Sequence, residues 1–495
     1  MVQAPTHYTS QALATLAIDL IRQGGCEYGD IRLCTYRHQN LNARDRSLSN
    51  LADNLSSGFG VRVLFQGAWG FAASPFQTPE SVTKIVALAI ETAKGSRLSQ
   101  QTPVKLVPVE AYQDSYITPY QIDPFEIPIA EKAELLLDIN EKLLSYTSQG
   151  IKKAYSFLSF TREDKIFAST EGSLIEQTIY RSHPGYSCTA VIDGDAQVRN
   201  YERPPLNIGY EHIDKTDLLA NIERVATEAI AKVQAPECPS GIHSTLILKP
   251  SNLYLTIHES VGHPTELDRV YGYESNFAGT SFATTDKLHK LQYGAPWINF
   301  KADRTQTHGR SSVGYDDEGV KSQEWYVVKD GMLNDYLTDR ETAYRLGRGS
   351  SNGSAYADSW ANVPMVRIPN LGLEPGVDGG SHTATLAEMI ADTEDGILID
   401  GIGSFSIDQQ RRNFQFGGDA FWKVEKGKVV GMLKNVTYHS MTTDFWNSVD
   451  AIGSVSEWEQ SGTQLCGKGE PMQIAQMSHG CVPVRVRNIA IGRHS

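Results

Sequence analysis

The first half of the chain alternates between a helical and a strand-like spacing of apolar residues. Apolar positions three and four residues apart, such as Leu13, Leu16, Ala17 and Leu20, predict amphipathic helices. Strict alternation of apolar and polar residues predicts strands. The predicted helices cover residues 12–22, 79–94, 130–146 and 214–233, and the predicted strands cover residues 30–36, 58–65, 153–162, 165–169 and 174–181. These elements indicate strand pairs packed against helices, an α/β layered arrangement.

The second half is richer in strands and glycine. Residues 324–337 and 420–433 each contain two strand-like segments around a short glycine-containing turn, which is typical of a β-hairpin. Pro236, Pro239 and Gly241 interrupt the pattern after the last helix of the first half and indicate a domain boundary.

We therefore predict an α+β protein with two domains. Residues 1–236 form an N-terminal α/β domain, and residues 241–495 form a β-rich, mostly antiparallel C-terminal domain. A length of 495 residues is enough for two such domains with large cores.

The composition is typical of a globular protein, and the net charge limits the classes of partner that it is expected to bind. Hydrophobic residues make up 40% of the chain and charged residues 21%, and the net charge is −13. This negative charge argues against nucleic acid or an anionic membrane as the main partner. The acidic run at 316–318 lacks the spacing of an EF-hand loop, so we predict a solvated turn there.

The cysteines and the start of the chain bear on its location. Six cysteines are scattered without a paired motif, which predicts reduced thiols. Residues 1–10 contain no basic region, and no apolar run approaches the ~20 residues that span a bilayer. We expect a cytoplasmic protein that does not enter a membrane.

The stretch with the clearest chemistry is His258-Glu259-Ser260-Val261-Gly262-His263. Histidine is the commonest zinc ligand, and a neighbouring carboxylate is suited to take a proton from water. Five residues on a regular α-helix turn the second ring by roughly 140° from the first, which is too far for both to bind one ion. A π-type turn would realign the rings, as would a helix that ends at Gly262 and lets His263 turn inward. We favour the interrupted helix, because Pro264 disfavours α-helix at the residue before it.

Two histidines leave a zinc ion without a third protein ligand, and spacing does not choose one. Cys466 lies in Gln464-Leu465-Cys466-Gly467-Lys468-Gly469, where glycine would let the thiol approach and Lys468 would favour the thiolate. An alternative interpretation is that Cys466 is a small buried apolar residue with no role in metal binding. The other candidates are His289, His308, His382, His439, His479 and Cys481, along with many acidic residues.

These segments resemble a known family. The His258–His263 motif is followed by Glu266-Leu267-Asp268 and residues 276–282, and together these resemble the metal-binding region of the TldD/PmbA peptidases. Cys466-Gly467-Lys468 resembles the C-terminal Cys-Gly-Lys element of that family, and segments 348–354 and 364–367 resemble stretches between the two. Because the metal motif is present, the chain resembles the TldD side of the family, not the PmbA side.

The resemblance implies a complete site. His258, His263 and Cys466 would bind the metal, Glu259 would be the general base, and a dimer would enclose the active site. Two neutral imidazoles and one thiolate leave Zn²⁺ with a net charge of +1, as in zinc proteases with a His₂Glu set.

The function expected on this basis is a zinc-dependent peptidase that hydrolyses unfolded or extended peptides with metal-activated water. Its substrate would align by strand addition, and its partner would be a second copy or a PmbA-like subunit. One alternative is a non-hydrolytic peptide-binding or regulatory subunit, in which His479 or Cys481 closes a structural zinc site. Another is a metal-dependent hydrolase of small amides.

Overall fold

The N-terminal half is built on one seven-stranded sheet in the computed structural model, which describes residues 9–493. Six strands follow the order β3-β2-β1-β5-β6-β4 and β7 pairs with β6; all pairs are antiparallel except β4 with β6. The strands are β1 (Tyr28–Arg44), β2 (Ser47–Phe65), β3 (Ala68–Ser74), β4 (Gln113–Ile117), β5 (Ile151–Ser169), β6 (Leu174–Ile192) and β7 (Asp195–Glu202). The helices are α1 (Ser10–Gln23), α2 (Pro79–Ser99), α3 (Ile129–Leu144), α4 (Lys215–Ala220) and α5 (Ile222–Gln234).

All the larger helices pack on the same face of this sheet. Ile31 and Leu33 of β1 belong to an apolar cluster with α1 and α2, and Leu41 and Ala43 of the same strand belong to a cluster with α3 and α5. Because these four residues have the same parity along the strand, they point to one side. The helices therefore cover the sheet in two pairs, one toward each end of β1.

The opposite face carries buried charges that contact the C-terminal half. Lys165 donates to Asp317 at 2.6 Å, and Arg62 forms ion pairs with Asp30 at 2.7 Å and with Glu318 at 2.9 Å. The prediction of a solvated turn at 316–318 is therefore wrong, since its carboxylates are buried against basic residues of the sheet. Charges that are removed from water in this way need partners, and each half supplies some of them.

The C-terminal half contains a nine-stranded, mostly antiparallel sheet and three smaller ones. The large sheet runs β16-β17-β20-β24-β8-β15-β18-β19 with β21 on β24, and the small sheets are β11-β10-β9-β14, β12-β13 and β22-β23. The strands are β8 (Ile242–Leu248), β9 (Phe300–Asp303), β10 (Glu324–Lys329), β11 (Met332–Leu333), β12 (Ala355–Tyr356), β13 (Met365–Val366), β14 (Leu371–Leu373), β15 (Asp395–Asp400), β16 (Phe405–Ile407), β17 (Asn413–Gly417), β18 (Ala420–Glu425), β19 (Lys428–Leu433), β20 (Val436–Met441), β21 (Val449–Ile452), β22 (Glu459–Lys468), β23 (Gln473–Cys481) and β24 (Val484–Arg493). The helices are α6 (Pro250–Ile257), α7 (Leu267–Val270), α8 (Arg340–Arg345), α9 (Leu386–Ala391) and α10 (Thr442–Asn447).

The α+β fold class is confirmed, and the individual elements differ from their predictions in instructive places. The helix predicted to end at Gly95 continues to Ser99. The helix predicted over residues 214–233 is broken at Asn221, whose side-chain amide donates to the carbonyl of Asp217 at 3.0 Å and competes with helical bonding.

Helix α5 ends at Gln234 and strand β8 begins at Ile242. The domain limits 1–236 and 241–495 stay a prediction, and residues 1–8 and 494–495 lie outside the described residues. The cysteines are all free. Within residues 9–493, no helix is long and apolar enough to cross a membrane.

Candidate metal centre

The backbone at the histidine motif forms a π-turn. Helix α6 passes at His258 into a π-helical segment, His258–Gly262, and the His263 N–H donates to the His258 carbonyl five residues back. The interrupted helix that we favoured is therefore wrong, and the π-turn alternative is correct. Gly262 stays helical (φ −60°, ψ −64°), and a Cβ there would lie 2.7 Å from Ile368 Cδ1. The glycine thus permits close packing and does not end the helix.

This turn brings both histidines next to Cys466. Nitrogen and sulfur atoms of His258, His263 and Cys466 all lie within 4.8 Å of one another, and the three residues are only 4–5% exposed. The Cys466 Sγ is 3.5 Å from His263 Nε2. A register shift in β22 between Thr463 and Cys466 leaves Cys466 on the buried side of the strand, as bulges beside functional sites often do.

The donor set fits a zinc ion. Two imidazoles and a thiolate are ligands that zinc prefers, whereas magnesium and calcium prefer oxygen. Burial lowers the pKa of both His258 and His263, which favours neutral rings with a lone pair available.

Hydrogen bonds behind each histidine fix which nitrogen faces the cluster. His479 Nδ1 donates to the Leu371 carbonyl at 2.8 Å, so its Nε2 accepts from His258 Nδ1 at 2.9 Å. His263 Nδ1 donates to Glu266 Oε2 at 2.8 Å. Within residues 9–493, the Nε2 atoms of His258 and His263 therefore have no protein partner other than the Cys466 sulfur. Carboxylates and other acceptors behind metal-binding histidines are a general feature of metal sites.

The side chains that lie behind the two histidines and support them form a second layer around the cluster. Glu266 carries a negative charge in this second layer. Burial alone would raise its pKa, but Lys468, His263 and Arg269 outweigh burial and hold the pKa well below its ordinary value. Lys468 Nζ lies 3.2 Å from Glu266 and donates to Asp268 at 2.7 Å. The carboxylate is thus ionised and oriented toward His263.

The thiol of Cys466 is favoured as thiolate by a different group from the one we predicted. Burial opposes ionisation, but His263 in its protonated form, and then Arg367, lower the pKa of Cys466 below its ordinary value. Arg367 also donates to the Cys466 carbonyl. Lys468, predicted to favour the thiolate, instead serves the two carboxylates of the second layer.

His479 and Cys481 lie outside the cluster of three. His479 is behind His258, and the Cys481 Sγ is 3.6 Å from the Pro250 carbonyl, with its pKa raised by burial. Among the described residues, the remaining histidines and acids form no larger metal-binding group with the three.

Glu259 is buried beside the cluster and is held on one side. Its Oε2 accepts from Arg411 Nη1 at 2.7 Å, while no described residue binds its Oε1. Arg411 lies in the loop between β16 and β17 with a positive φ of 62°. The arrangement leaves one carboxylate oxygen available to a water molecule or a substrate.

A large cavity lies near this site but does not include it. About 730 Å³ in volume, it lies between β7 and elements of the C-terminal half, with Arg199 and Asp400 in its wall. None of His258, Glu259, His263 and Cys466 lines it. Its connection to the site is Tyr254, one turn before His258, whose ring stacks on His479 at 6.4 Å.

Family models match almost the whole described chain. They are described as PmbA/TldA metallopeptidase domain 1, central domain and C-terminal domain, and they match residues 29–93, 122–235 and 242–493. The chain belongs to this metallopeptidase family. The resemblance drawn from the motifs is thereby confirmed.

Curated relatives match this chain over most of its length and most of their own. A metalloprotease of Methanocaldococcus jannaschii is 29% identical over 92% of this chain and 95% of its own. A zinc metalloprotease TldD homolog of Saccharolobus solfataricus is 23% identical over 89% of this chain and 91% of its own.

Solved structures share the fold. A Thermotoga maritima protein described as a modulator of a DNA gyrase matches with a TM-score of 0.78 at 16% identity, over 98% of this chain and all of its own. TldE from Thermococcus kodakarensis matches with a TM-score of 0.72 at 15% identity, over 96% of this chain and all of its own.

The roles of two residues at the site are not predictable from the sequence. Arg411 lies 152 residues after Glu259, and nothing in the spacing of the sequence links the two. The sequence presents His479 as a candidate ligand, whereas in the fold it lies behind His258 and hydrogen-bonds to it. A histidine near a metal motif is as well suited to the second layer as to the first, and only the fold separates the two roles.

Proposed function

We propose that the protein is a zinc-dependent peptidase that cleaves unfolded or extended peptides. The observation that carries this proposal is the buried group of His258, His263 and Cys466 beside Glu259, in a chain of a metallopeptidase family. A structural zinc site is normally closed by four protein ligands, whereas this group offers three. The three-ligand set therefore supports catalysis over the alternative of a regulatory subunit with a structural zinc.

The three ligands would hold the ion and Glu259 would move the proton. Zinc, when bound, acts as a Lewis acid that polarises a peptide carbonyl and makes water nucleophilic near neutral pH. The free Oε1 of Glu259 accepts the proton of the attacking water, while Arg411 keeps Oε2 in place. Glu259 then passes this proton to the leaving amine as the C–N bond breaks. His479 and Glu266 keep the two histidines oriented throughout.

Strand addition is the mode of peptide binding that the fold supports. Among the described residues, β22 pairs only with β23, so its other edge has no strand partner. A peptide in extended form would add there through backbone hydrogen bonds, which require no particular side chains. A folded protein would not offer such a strand.

Peptide length separates this proposal from hydrolysis of small amides. With zinc-loaded protein, we expect kcat/KM to rise at least about tenfold from tripeptides to octapeptides, because each backbone hydrogen bond contributes about 1 kcal/mol. Methylating one backbone amide of the peptide at a time should lower kcat/KM at every second position along the peptide. The check is a cleavage assay on one peptide series, read by mass spectrometry.

Two results would count against the proposal. A rate that does not depend on length would favour a small-amide hydrolase. Bound zinc with no cleavage of any peptide, by the protein alone or with a PmbA-like subunit, would favour a structural ion.

The assembly belongs to the same proposal. We propose a dimer, either of two copies or with a PmbA-like subunit, that encloses the site. The shared fold of this chain and TldE is compatible with either pairing.

A further inference from the structure

A second, smaller cavity is surrounded by four buried arginines. Arg181 comes from β6 of the N-terminal half, whereas Arg304, Arg310 and Arg367 come from the C-terminal half. They are only 1–6% exposed. The cavity measures about 20 Å³ and is completed by Ser311, Val313, Tyr356, Ile368, Ala475 and Gln476.

The positive charge around this cavity lacks a matching negative charge. Arg181 is paired with Glu163 at 2.8 Å. Within the described residues, Arg304, Arg310 and Arg367 have no carboxylate within 4 Å, and their Nη1 atoms donate to backbone carbonyls at 3.0–3.1 Å. A buried charge without a counter-charge is costly, and arginine does not escape the cost by losing its proton.

The direction of the pKa shifts agrees with this imbalance. Burial lowers the pKa of Arg304, and the nearby Asp316 and Asp317 do not offset the effect. Burial and then the neighbouring Arg181 lower the pKa of Arg310 well below its usual range. A protonated guanidinium is thus disfavoured at both positions unless something negative lies beside it.

Hydrogen-bonding groups around the cavity are also unsatisfied. The Nε atoms of the four arginines, together with Ser311 Oγ and Gln476 Oε1, are buried and have no hydrogen-bond partner. All six atoms belong to residues that line the cavity. The two ends of a glutamine amide are interchangeable, so Gln476 can equally present its NH₂ group. The unsatisfied polar groups of the wall are then all able to donate a hydrogen bond.

We propose that this cavity binds one small anion, either a carboxylate group or an inorganic ion of similar size. Its volume corresponds to one or two water-sized particles, which excludes nucleotides and phosphorylated cofactors. Water alone would satisfy donors but would not balance the charge. The cavity is separate from the cluster of three but adjoins it, because Arg367 also holds the Cys466 carbonyl and Ile368 packs against Gly262.

The test is thermal unfolding of the metal-loaded protein at constant ionic strength. Three salts are compared: chloride, acetate and, as the control, an organic sulfonate whose anion is too large for the cavity. We expect the unfolding midpoint to rise by a few degrees in chloride or acetate, because a ligand that binds only the folded state stabilises it. In Arg310→Gln, this rise should be lost, or should require at least about tenfold more anion.

A matched control is Arg340→Gln. Arg340 is equally buried, but it is fully paired with Glu171 at 2.7 and 2.8 Å and does not line the cavity. This variant should unfold at a lower temperature and still respond to chloride or acetate. A wild-type midpoint that is the same in all three salts would overturn the proposal, as would a full anion response in Arg310→Gln.

The source of the anion follows from a second arm of the experiment. If the occupant is a carboxylate of the peptide substrate, chloride should raise KM for peptides with a free C-terminus or acidic side chains and leave amidated neutral peptides unchanged. If the occupant is an inorganic ion, chloride should raise the midpoint without changing KM for either. Both results support the anion site and differ only in what occupies it.

Discussion

Replacing Glu259 by Gln is expected to lower kcat for peptide cleavage by about 10²–10⁴-fold while the metal stays bound. The substitution preserves size and an oxygen for Arg411, so the contact at 2.7 Å can persist. It removes the carboxylate that accepts the proton of water. Because Glu259 is not one of the three clustered ligands, metal content should not change. The measurements are steady-state cleavage and metal analysis on the same preparation.

Glu274→Gln is the matched control for this variant. Glu274 is a buried carboxylate that accepts from the Gly469 N–H at 3.3 Å and belongs to neither the cluster nor the pair with Arg411. Its variant should keep cleavage within a few-fold of wild type. A Glu259→Gln protein with wild-type activity would remove Glu259 from the role of general base.

Replacing Cys466 by Ala is expected to remove both metal and activity. Alanine leaves two imidazoles, which are too few for a stable zinc site. Substitutions in the second layer of metal sites typically cost 10–100-fold in affinity, and loss of a direct ligand should cost more than about 100-fold. The checks are competition with a chromogenic chelator for affinity and peptide cleavage for activity.

Cys481→Ala controls for the loss of a buried cysteine from the same hairpin. Cys481 lies on β23, is fully buried and does not belong to the cluster. This variant should bind zinc with wild-type affinity. Stoichiometric zinc and full activity in Cys466→Ala would show that the thiol is not a ligand.

The helices of the N-terminal half were predictable because their apolar faces are regular. The long strands were not fully predictable, since charged residues interrupt their alternation. Strand β5 appears in the sequence as two pieces separated at Glu163. In the fold, Glu163 is buried between Lys165 and Arg181, both at 2.8 Å, so the strand continues through it. The sequence shows Lys165 two residues away on the same strand, but it does not show that Arg181 of β6 lies beside Glu163.

The candidate site was also predictable only in part, because some of its residues are close in the sequence and others are brought together by the fold. His258 and Glu259 were identifiable because a local motif holds them together. Cys466 lies 203 residues beyond His263 and was chosen over the other candidates only through family resemblance. The sequence allows the π-turn but favours a helix end because of Pro264, and the packing of Gly262 on Ile368 becomes apparent only in the fold. Arg411 joins Glu259 only through the tertiary fold.

The most direct test of the central claim is X-ray absorption at the zinc edge of the purified, zinc-loaded protein. We expect one sulfur at about 2.3 Å and two imidazole nitrogens at about 2.0–2.1 Å, with the remaining scattering from a light atom that is not imidazole. A second sulfur would place Cys481 in the site, and a third imidazole would place His479 there. A first shell with no sulfur would contradict the assignment of His258, His263 and Cys466 as the metal ligands.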